Sequence, residues 1–170
     1  IGKTDNNLVF PTAFVSNKDN VSYGKAGVYT VIGISKCHPD DEFDIPVYHH
    51  EKETQMLAEP EWNLSTMLGR PYVFDKGIGL KDGEILGVAG FKFQVIHTPG
   101  HTSGGCCYYE ADEAILISGD TLFYRSVGRT DFPTGNPSDM MESLKKLCAT
   151  EGDFVVYPGH DMSTTLQGER

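Results

Sequence analysis

The sequence has little positive charge. Its 170 residues include 14 Lys and Arg against 24 Asp and Glu, a formal net charge of −10. Binding to nucleic acid or to an anionic membrane surface needs a basic face, so this balance argues against both as partners. The chain also lacks an apolar run long enough to span a bilayer and a signal-peptide pattern at its start. It begins with Ile1 instead of Met, which indicates that the natural start is missing or has been processed.

Cysteine is scarce, and the sequence has no Cys-x-x-Cys motif of the kind found in redox and zinc sites. The four cysteines are Cys37, Cys106, Cys107 and Cys148. Cys106 and Cys107 are adjacent in a predicted strand, so their side chains are expected on opposite faces. We interpret all four as reduced thiols of a cytoplasmic protein. The length and the hydrophobic content of 39% predict one domain over residues 1–170.

Three strand-like runs each end beside a glycine, and each carries a metal-capable side chain at that end. The ends are Thr98-Pro99-Gly100-His101, Gly119-Asp120 and Pro158-Gly159-His160. Glycine lets backbone approach closely, and loops at strand ends often carry functional sites. One such residue alone is most often a turn or capping residue. Two imidazoles and a carboxylate in the same setting favour a site for zinc, iron or manganese.

These segments resemble the later motifs of the metallo-β-lactamase-fold hydrolases, and most closely those of the glyoxalase II-like (hydroxyacylglutathione hydrolase-like) branch. The matching segments are Thr98–Thr102, Ser118–Phe123, Ser126–Asp131 and Tyr157–His160. The resemblance implies an α/β (α+β) fold, a four-layer αββα sandwich with the site at one edge between the sheets. It also implies that His101 binds one metal ion, that His160 binds a second, and that Asp120 bridges them.

The earlier His-x-His-x-Asp-His motif of that family is missing. In the nearest segment, Lys36 stands where the first His belongs, His38 matches the second, Asp40 matches the Asp, and Asp41 replaces the last His. Lysine is a poor ligand because its amine is protonated near neutral pH. If this alignment holds, the first ion has His38, His101 and Asp120 as ligands. The second ion then has Asp40, Asp41, Asp120 and His160.

Three interpretations of this segment stay open. The site is divergent and uses His38, Asp40 and Asp41 as ligands. Alternatively, the chain is a degraded relative that binds metal poorly or not at all. Or residues of the natural protein are missing, so that the sandwich is incomplete in its N-terminal half.

The resemblance implies metal-dependent hydrolysis of a small-molecule thioester such as an acylglutathione. One or two zinc ions, or iron or manganese in their place, would lower the pKa of a water molecule towards 7 and polarise the substrate carbonyl. A hydroxide held near Asp120 would then attack that carbonyl, with Asp40 orienting it. The sequence does not predict the oligomeric state.

Two other functions remain as alternatives. The first is a non-catalytic member of the same fold with a degenerate metal site. The second is a zinc-dependent deacetylase, because residues 38–42 resemble the His-Pro-Asp-Asp-Glu motif of N-acetylglucosaminyl deacetylases. The glycine-rich continuation and the downstream His-x-x-His of that family are absent, which disfavours the second alternative.

The sequence also predicts several elements near these motifs. A helix is expected from His49 to Ala58, with His49 and His50 as surface or capping residues at its start. Tyr72 to Phe74 is predicted to be a short strand, and residues 104–110 and 114–118 are predicted to form a hairpin. A later helix is expected after an Asn136 N-cap with Pro137 at its first position. Its predicted apolar face is Met140, Met141, Leu144, Leu147 and Cys148.

Four residues in or beside the motifs have predicted supporting roles. His97 is interpreted as a packing residue instead of a ligand. Arg129 and Asp131 are interpreted as an ion pair that orders their loop. Asp161 is expected to orient His160, because a ligating imidazole usually donates its other N–H to a carboxylate or a carbonyl.

Overall fold

The computed structural model describes residues 14–15, 29–30, 47–67, 69, 71–88 and 91–170. The segment that carries His38, Asp40 and Asp41 lies outside these residues. None of the helices in the described part of the chain is long and apolar enough to cross a membrane.

The first sheet has four strands and is mixed. The strands are β1 (Phe14–Val15), β2 (Tyr29–Thr30), β3 (Val47–His50) and β4 (Ile78–Leu80), in the order β2-β1-β3-β4. β1 is antiparallel to both β2 and β3, and β3 is parallel to β4. β3 includes His49 and His50, which were predicted to begin a helix.

The second sheet has six strands and carries most of the predicted motifs. It contains β5 (Ile85–Val88), β6 (Phe91–His97), β7 (Cys106–Glu110), β8 (Ile115–Gly119), β11 (Val155–Pro158) and β12 (Thr164–Thr165), in the order β12-β11-β8-β7-β6-β5. A separate hairpin joins β9 (Leu122–Phe123) to β10 (Ser126–Val127). The predicted hairpin is confirmed as antiparallel β7 and β8. The β8–β11 pair is parallel, and the other pairs in this sheet are antiparallel.

Three α-helices and one 3₁₀ turn accompany the sheets in the described residues. The 3₁₀ turn is Glu51–Glu53, and the helices are α1 (Thr54–Ala58), α2 (Pro137–Cys148) and α3 (Leu166–Glu169). The side chain of Asn136 accepts hydrogen bonds from the backbone N–H groups of Ser138 and Asp139, so the predicted N-cap with Pro137 at the first position is confirmed. The predicted helix from His49 to Ala58 is shorter, because its first two residues are in β3 and the next three form the 3₁₀ turn. The predicted strand at Tyr72–Phe74 is wrong, since this segment forms no sheet pairing in the structure.

The apolar core has three parts, each between two layers. The first part lies between the sheets, where Leu80 of β4 packs with Phe93, Val95 and Tyr108. The second part lies between the six-stranded sheet and helices α2 and α3. It contains Cys107, Leu116, Leu122, Leu147, Phe154, Val156 and Leu166. The third part, Val47, Leu57 and Phe74, joins the first sheet to α1. In the described residues, the order of layers is therefore helix, sheet, sheet, helix.

The adjacent cysteines face opposite sides of the second sheet, as predicted. Cys106 is in the core between the sheets, and Cys107 is in the core under α2. Both are buried and free, and Cys148 is free and exposed. Cys37 lies outside the described residues.

The predicted apolar face of α2 is partly wrong. Met140 and Leu147 are buried, whereas Met141 and Cys148 are exposed. Ser143 occupies the buried side in their place, and its hydroxyl donates to the carbonyl oxygen of Pro99 at 2.7 Å. The side of α2 that carries Ser143 thus faces the loop that follows β6, and this loop carries His101.

Replacing Leu147 with alanine tests the position of α2. Leu147 is 1% exposed, so we expect the substitution to lower the free energy of unfolding by about 2–5 kcal/mol. Met141 on the same helix is 55% exposed, and its replacement with alanine should change that free energy by no more than about 0.5 kcal/mol. Urea unfolding of the two variants measures the difference. Equal losses would mean that the helix is oriented differently.

Candidate metal centre

The second sheet brings the three motif ends to one edge. β6 and β8 are both antiparallel to β7, and β11 is parallel to β8, so these three strands run in the same direction. Their C-terminal ends therefore meet. Asp120 follows β8 and His160 follows β11, and the Gly159 N–H donates to the Gly119 carbonyl oxygen at 2.7 Å. His101 lies in the loop after β6.

The Asp120 carboxylate lies between the two imidazoles. Its Oδ2 is 3.5 Å from His101 Nε2, and its Oδ1 is 3.8 Å from His160 Nε2. Each histidine therefore faces a different oxygen of the same carboxylate. This is an arrangement in which one carboxylate can serve two neighbouring cation positions.

Asp120 is poorly suited to its surroundings without a cation. Its side chain is only 5% exposed, and neither carboxylate oxygen accepts a hydrogen bond from the described residues. Burial raises the pKa of Asp120 to about 7, although His160 opposes this effect. Buried polar groups are normally satisfied, so two bare carboxylate oxygens call for an explanation. A divalent cation at this position would satisfy both oxygens, and the residues present therefore fit a metal ion.

Both histidines hold one ring nitrogen towards Asp120 because the other nitrogen is occupied. His101 Nδ1 donates to the carbonyl oxygen of Arg129 at 2.8 Å. His160 Nδ1 donates to Asp161 Oδ2 at 2.8 Å, as the sequence predicted. Burial lowers the pKa of His101, which favours the neutral imidazole that binds metals. This arrangement leaves the Nε2 lone pairs of both rings available as ligands.

Glycines allow the backbone to close around Asp120. A Cβ at Gly128 would collide with the Asp120 carbonyl oxygen, and a Cβ at Gly159 would collide with Asp120 Oδ1. The Gly128 N–H also donates to the Thr121 carbonyl oxygen at 3.3 Å. Both positions thus require glycine, because the backbone at each of them passes close to Asp120.

We expect Gly128→Ala to lower the free energy of unfolding by about 1–3 kcal/mol or more. The new methyl group would meet a backbone oxygen, which cannot move aside as a flexible side chain does. Gly87→Ala is the matched control, since a Cβ there would meet nothing within 4 Å. Thermal melting compares the two variants. A Gly128→Ala protein as stable as the Gly87→Ala protein would show that the loop is not packed as closely as described.

An open cleft of about 440 Å³ leads to this site. Aromatic rings pack beside both histidines: the Phe132 ring packs edge-on against His101 at 4.9 Å, and the Phe123 ring lies 4.4 Å from His160. Leu64 and Val127 add further apolar lining. The cleft therefore has the candidate metal ligands at its floor and apolar side chains around them.

The Arg129–Asp131 pair lies exposed at the rim of the cleft. The guanidinium donates to both oxygens of the Asp131 carboxylate, through Nε and one terminal nitrogen, each at 2.5 Å. Its Cζ also lies 4.9 Å from the centre of the Phe132 ring, which packs on His101. This geometry agrees with the predicted role of the pair in ordering the loop.

The described donors do not enclose a metal by themselves. Within the described ranges, no three His, Cys, Asp or Glu side chains converge as a closed cage. Each of the two imidazoles faces a different oxygen of the Asp120 carboxylate. The predicted further ligands, His38, Asp40 and Asp41, lie outside the described residues. Their roles stay predictions.

Two further histidines, His49 and His50, are buried instead of lying on the surface. His49 and His50 are each 2% exposed, which corrects the expectation of surface positions. His50 Nδ1 accepts the Lys52 N–H and caps the 3₁₀ turn, as one part of the prediction had it. His97 packs flat on His50 with ring centres 4.0 Å apart and bonds to the Ser103 carbonyl oxygen. His97 is thus a packing residue beside the loop of His101.

Sequence reasoning missed Glu53. This carboxyl group is 0% exposed and accepts a hydrogen bond from the Thr102 hydroxyl at 2.9 Å, next to His101 in the chain. The two residues are 49 positions apart, and no local pattern marks their contact.

The fold and the site together define a class of protein: mixed α/β proteins with two packed sheets and a histidine–carboxylate centre at their strand ends. The chain belongs to the metallo-beta-lactamase superfamily, whose family model matches residues 40–160. Two solved structures have the same fold over 76% of this chain and 64% of theirs. The BLEG-1 B3 metallo-beta-lactamase is 40% identical with a TM-score of 0.68, and TTHA1623 in a di-iron-bound form is 34% identical with a TM-score of 0.65.

Curated relatives show the same family. A probable metallo-hydrolase of Streptococcus pyogenes serotype M6 is 36% identical over 141 residues, which are 76% of this chain and 59% of that protein. The hydroxyacylglutathione hydrolase GloC of Haemophilus influenzae is 37% identical over 91 residues, 53% of this chain and 43% of that protein. The chain thus spans about three-fifths of the length of the first of these relatives, and less of the second.

Proposed function

We propose that this chain is a metal-dependent hydrolase that acts on a thioester such as an acylglutathione. One observation carries the proposal: the Asp120 carboxylate is buried between two imidazole Nε2 atoms, with no hydrogen-bond donor to either oxygen in the described residues. The likeness to the hydroxyacylglutathione hydrolase GloC supports the choice of substrate. The proposed scaffold is the four-layer αββα sandwich, as one domain over residues 1–170.

The proposed roles follow from the contacts at the site. His101, His160 and Asp120 would hold one or two ions of zinc or iron; the di-iron form of TTHA1623 supports iron as an alternative to zinc. A bound ion would supply a water that ionises near neutral pH and a Lewis acid for the substrate carbonyl. Phe132 packs on His101, which is buried, and limits the access of bulk water to that imidazole, whereas the His160 side chain beside Phe123 is 41% exposed. Asp40 remains the proposed residue that orients the attacking oxygen.

The cleft offers little to hold the carboxylates of glutathione. In its described lining, Arg129 is the one Lys or Arg side chain, and it is already paired with Asp131. The acyl group and the thioester carbonyl are therefore the parts of the substrate that this surface can contact. We expect a simple acyl thioester to be hydrolysed with a kcat/KM within about tenfold of that for an acylglutathione, a difference of about 1.4 kcal/mol.

Release of free thiol from S-lactoylglutathione tests the function. Protein loaded with zinc or with iron should release thiol, and the same protein treated with a chelator should not. A cephalosporin serves as a comparison substrate, because one structural relative is a B3 metallo-beta-lactamase. Hydrolysis of the cephalosporin alone would overturn the thioester proposal. Metal content well below one equivalent, with no hydrolysis, would instead favour the non-catalytic alternative.

His101→Ala distinguishes the deacetylase alternative. That reading depends on His38 and gives His101 no role, whereas the proposed hydrolase needs His101 as a ligand. Loss of bound metal and of thiol release in the variant would support the hydrolase. A His101→Ala protein that binds one equivalent of zinc and deacetylates an N-acetylglucosaminyl substrate would support the alternative.

A further inference from the structure

We infer that Glu53 is a positioning residue for His101: its buried carboxyl group fixes the loop from Thr98 to Gly105, which holds the imidazole over Asp120. The inference rests on the proposed function, since it takes His101 as a metal ligand. Glu53 is not one of the residues that line the cleft, and its carboxyl group accepts hydrogen bonds from Thr102 and Gly104. Its effect must therefore pass through the loop.

Two donors of the loop reach Glu53. The Thr102 hydroxyl donates to Oε2 at 2.9 Å, and the Gly104 N–H also donates to the carboxyl group. Residue 104 is a glycine, and a Cβ at this position would collide with the Oε2 and Cβ atoms of Glu53. The loop is thus shaped to admit this one carboxyl group. Glu53 Oε1 has no hydrogen-bond partner in the described part of the chain.

Thr102 links Glu53 to the geometry around His101. Its carbonyl oxygen accepts the N–H of Gly100 at 3.0 Å and that of Gly105 at 3.3 Å, so its backbone closes the loop on both sides of the histidine. Thr102 is 0% exposed. Without Glu53, its hydroxyl would be a buried donor that has lost its acceptor, and the loop would rearrange to satisfy it.

Glu53 lies in the segment that follows a strand of the first sheet, whereas the loop of His101 belongs to the second sheet. Glu53 ends the 3₁₀ turn that follows β3, and the neighbouring Lys52 carbonyl oxygen accepts the Ser103 hydroxyl at 3.3 Å. The loop of the second sheet is therefore anchored on the segment that follows a strand of the first sheet. A buried, partly unsatisfied carboxyl group does not favour stability by itself, which makes a positioning role the better explanation for it.

Zinc affinity tests the inference. We expect Glu53→Ala to weaken Zn²⁺ binding by about tenfold, measured by competition with a chromophoric chelator, as loss of an outer-sphere partner does in other metal sites. Glu53→Gln keeps an oxygen for Thr102 and Gly104, and should bind Zn²⁺ within about threefold of wild type. Glu110→Ala is the matched control. Glu110 is also a buried carboxylate, but it lies at the far end of β7 and accepts the Glu113 N–H.

Hydrogen exchange gives a second readout that needs no metal. The amides of Gly100 and Gly105 should exchange at least about tenfold faster in Glu53→Ala, and should be unchanged in Glu110→Ala. If Glu53→Ala does not fold, Thr102→Val takes its place, because it removes the hydroxyl with little change of shape. Tenfold weaker zinc binding in that variant would support the inference.

Each outcome separates this inference from the proposed function. A folded Glu53→Ala or Thr102→Val protein with wild-type zinc affinity overturns the positioning role and leaves the hydrolase intact. A wild-type protein that binds no zinc or iron overturns the hydrolase. In that case, hydrogen exchange still tests whether Glu53 fixes the loop. Unchanged exchange at Gly100 and Gly105 in Glu53→Ala would overturn this claim, and faster exchange would support it.

Discussion

Asp120→Ala should abolish thioester hydrolysis, with a loss in kcat/KM of about 10³-fold or more. The carboxylate is the one described group that faces both imidazole Nε2 atoms, at 3.5 and 3.8 Å. Its removal should therefore disturb binding of metal at either position. A metal ion contributes several kcal/mol to the stabilisation of the transition state, and 1.36 kcal/mol corresponds to a factor of ten in rate. Thiol release and metal content, measured on the same samples, check both parts of the prediction.

The loss should not come from unfolding. Both Asp120 oxygens are buried without a hydrogen bond from the described residues, so without metal the charge opposes folding more than it supports it. Chelator-treated Asp120→Ala and Asp120→Asn proteins should therefore melt no more than a few degrees below the chelator-treated wild type. Asp112→Ala, in the exposed turn between β7 and β8, is the control and should keep full activity. Full activity in Asp120→Ala would overturn the mechanism.

The three motif residues could be predicted because each signal is local and strong. A strand-like run, a glycine and a ligand-type side chain follow one another within a few residues, and the direction of β6, β8 and β11 then brings their ends together. The Asn136 N-cap was predictable for the same reason: cap, Pro137 and helix are contiguous. What these cases share is that neighbours in the chain supply the interactions that decide the structure.

Residues whose partners are distant in the chain were predicted poorly. His49 and His50 read as helix-start residues, but parallel pairing with β4, at Gly79 and Leu80, keeps them in a buried strand. The apolar spacing of α2 was broad enough to include Met141. The contact of Ser143 with Pro99, 44 residues away, helps set which side of the helix is buried.

The contact between Glu53 and Thr102 is the extreme case. A glutamate at this place reads as one more acidic residue in a chain with 24 of them. Only the packing of the 3₁₀ turn against the loop after β6 turns it into a buried group. Sequence reasoning could find the candidate ligands on one edge of the sheet, but it could not find the residue that fixes one of them in place.

The second large effect expected is a pH-dependent difference in stability between wild type and Glu53→Gln. Burial raises the pKa of Glu53 from its ordinary 4.5 to about 7, although the hydrogen bonds from Thr102 and Gly104 oppose this effect. The folded protein therefore keeps a proton that the unfolded chain has already released. The resulting stabilisation is fully present below pH 4.5 and is lost as the pH rises through 7.

Glutamine at position 53 cannot ionise, so it does not lose stability in this window. The free energy of unfolding of Glu53→Gln, relative to wild type, should therefore rise by about 2–3 kcal/mol between pH 5 and pH 8, since one pKa unit corresponds to 1.36 kcal/mol. Urea unfolding in chelator at several pH values measures this difference. Asp120, whose pKa is also raised, is present in both proteins, so its contribution largely cancels.

Thr102→Val tests the pKa of Glu53 by removing the hydroxyl that donates to its carboxyl group. The Thr102 hydroxyl holds the pKa of Glu53 lower than burial alone would, so its removal should raise that pKa further. The loss of stability with rising pH should then extend to a higher pH in this variant than in wild type. A difference between wild type and Glu53→Gln that stays constant from pH 5 to pH 8 would contradict both expectations. It would mean that Glu53 titrates alike in the folded and unfolded chains and is not enclosed between the turn and the loop.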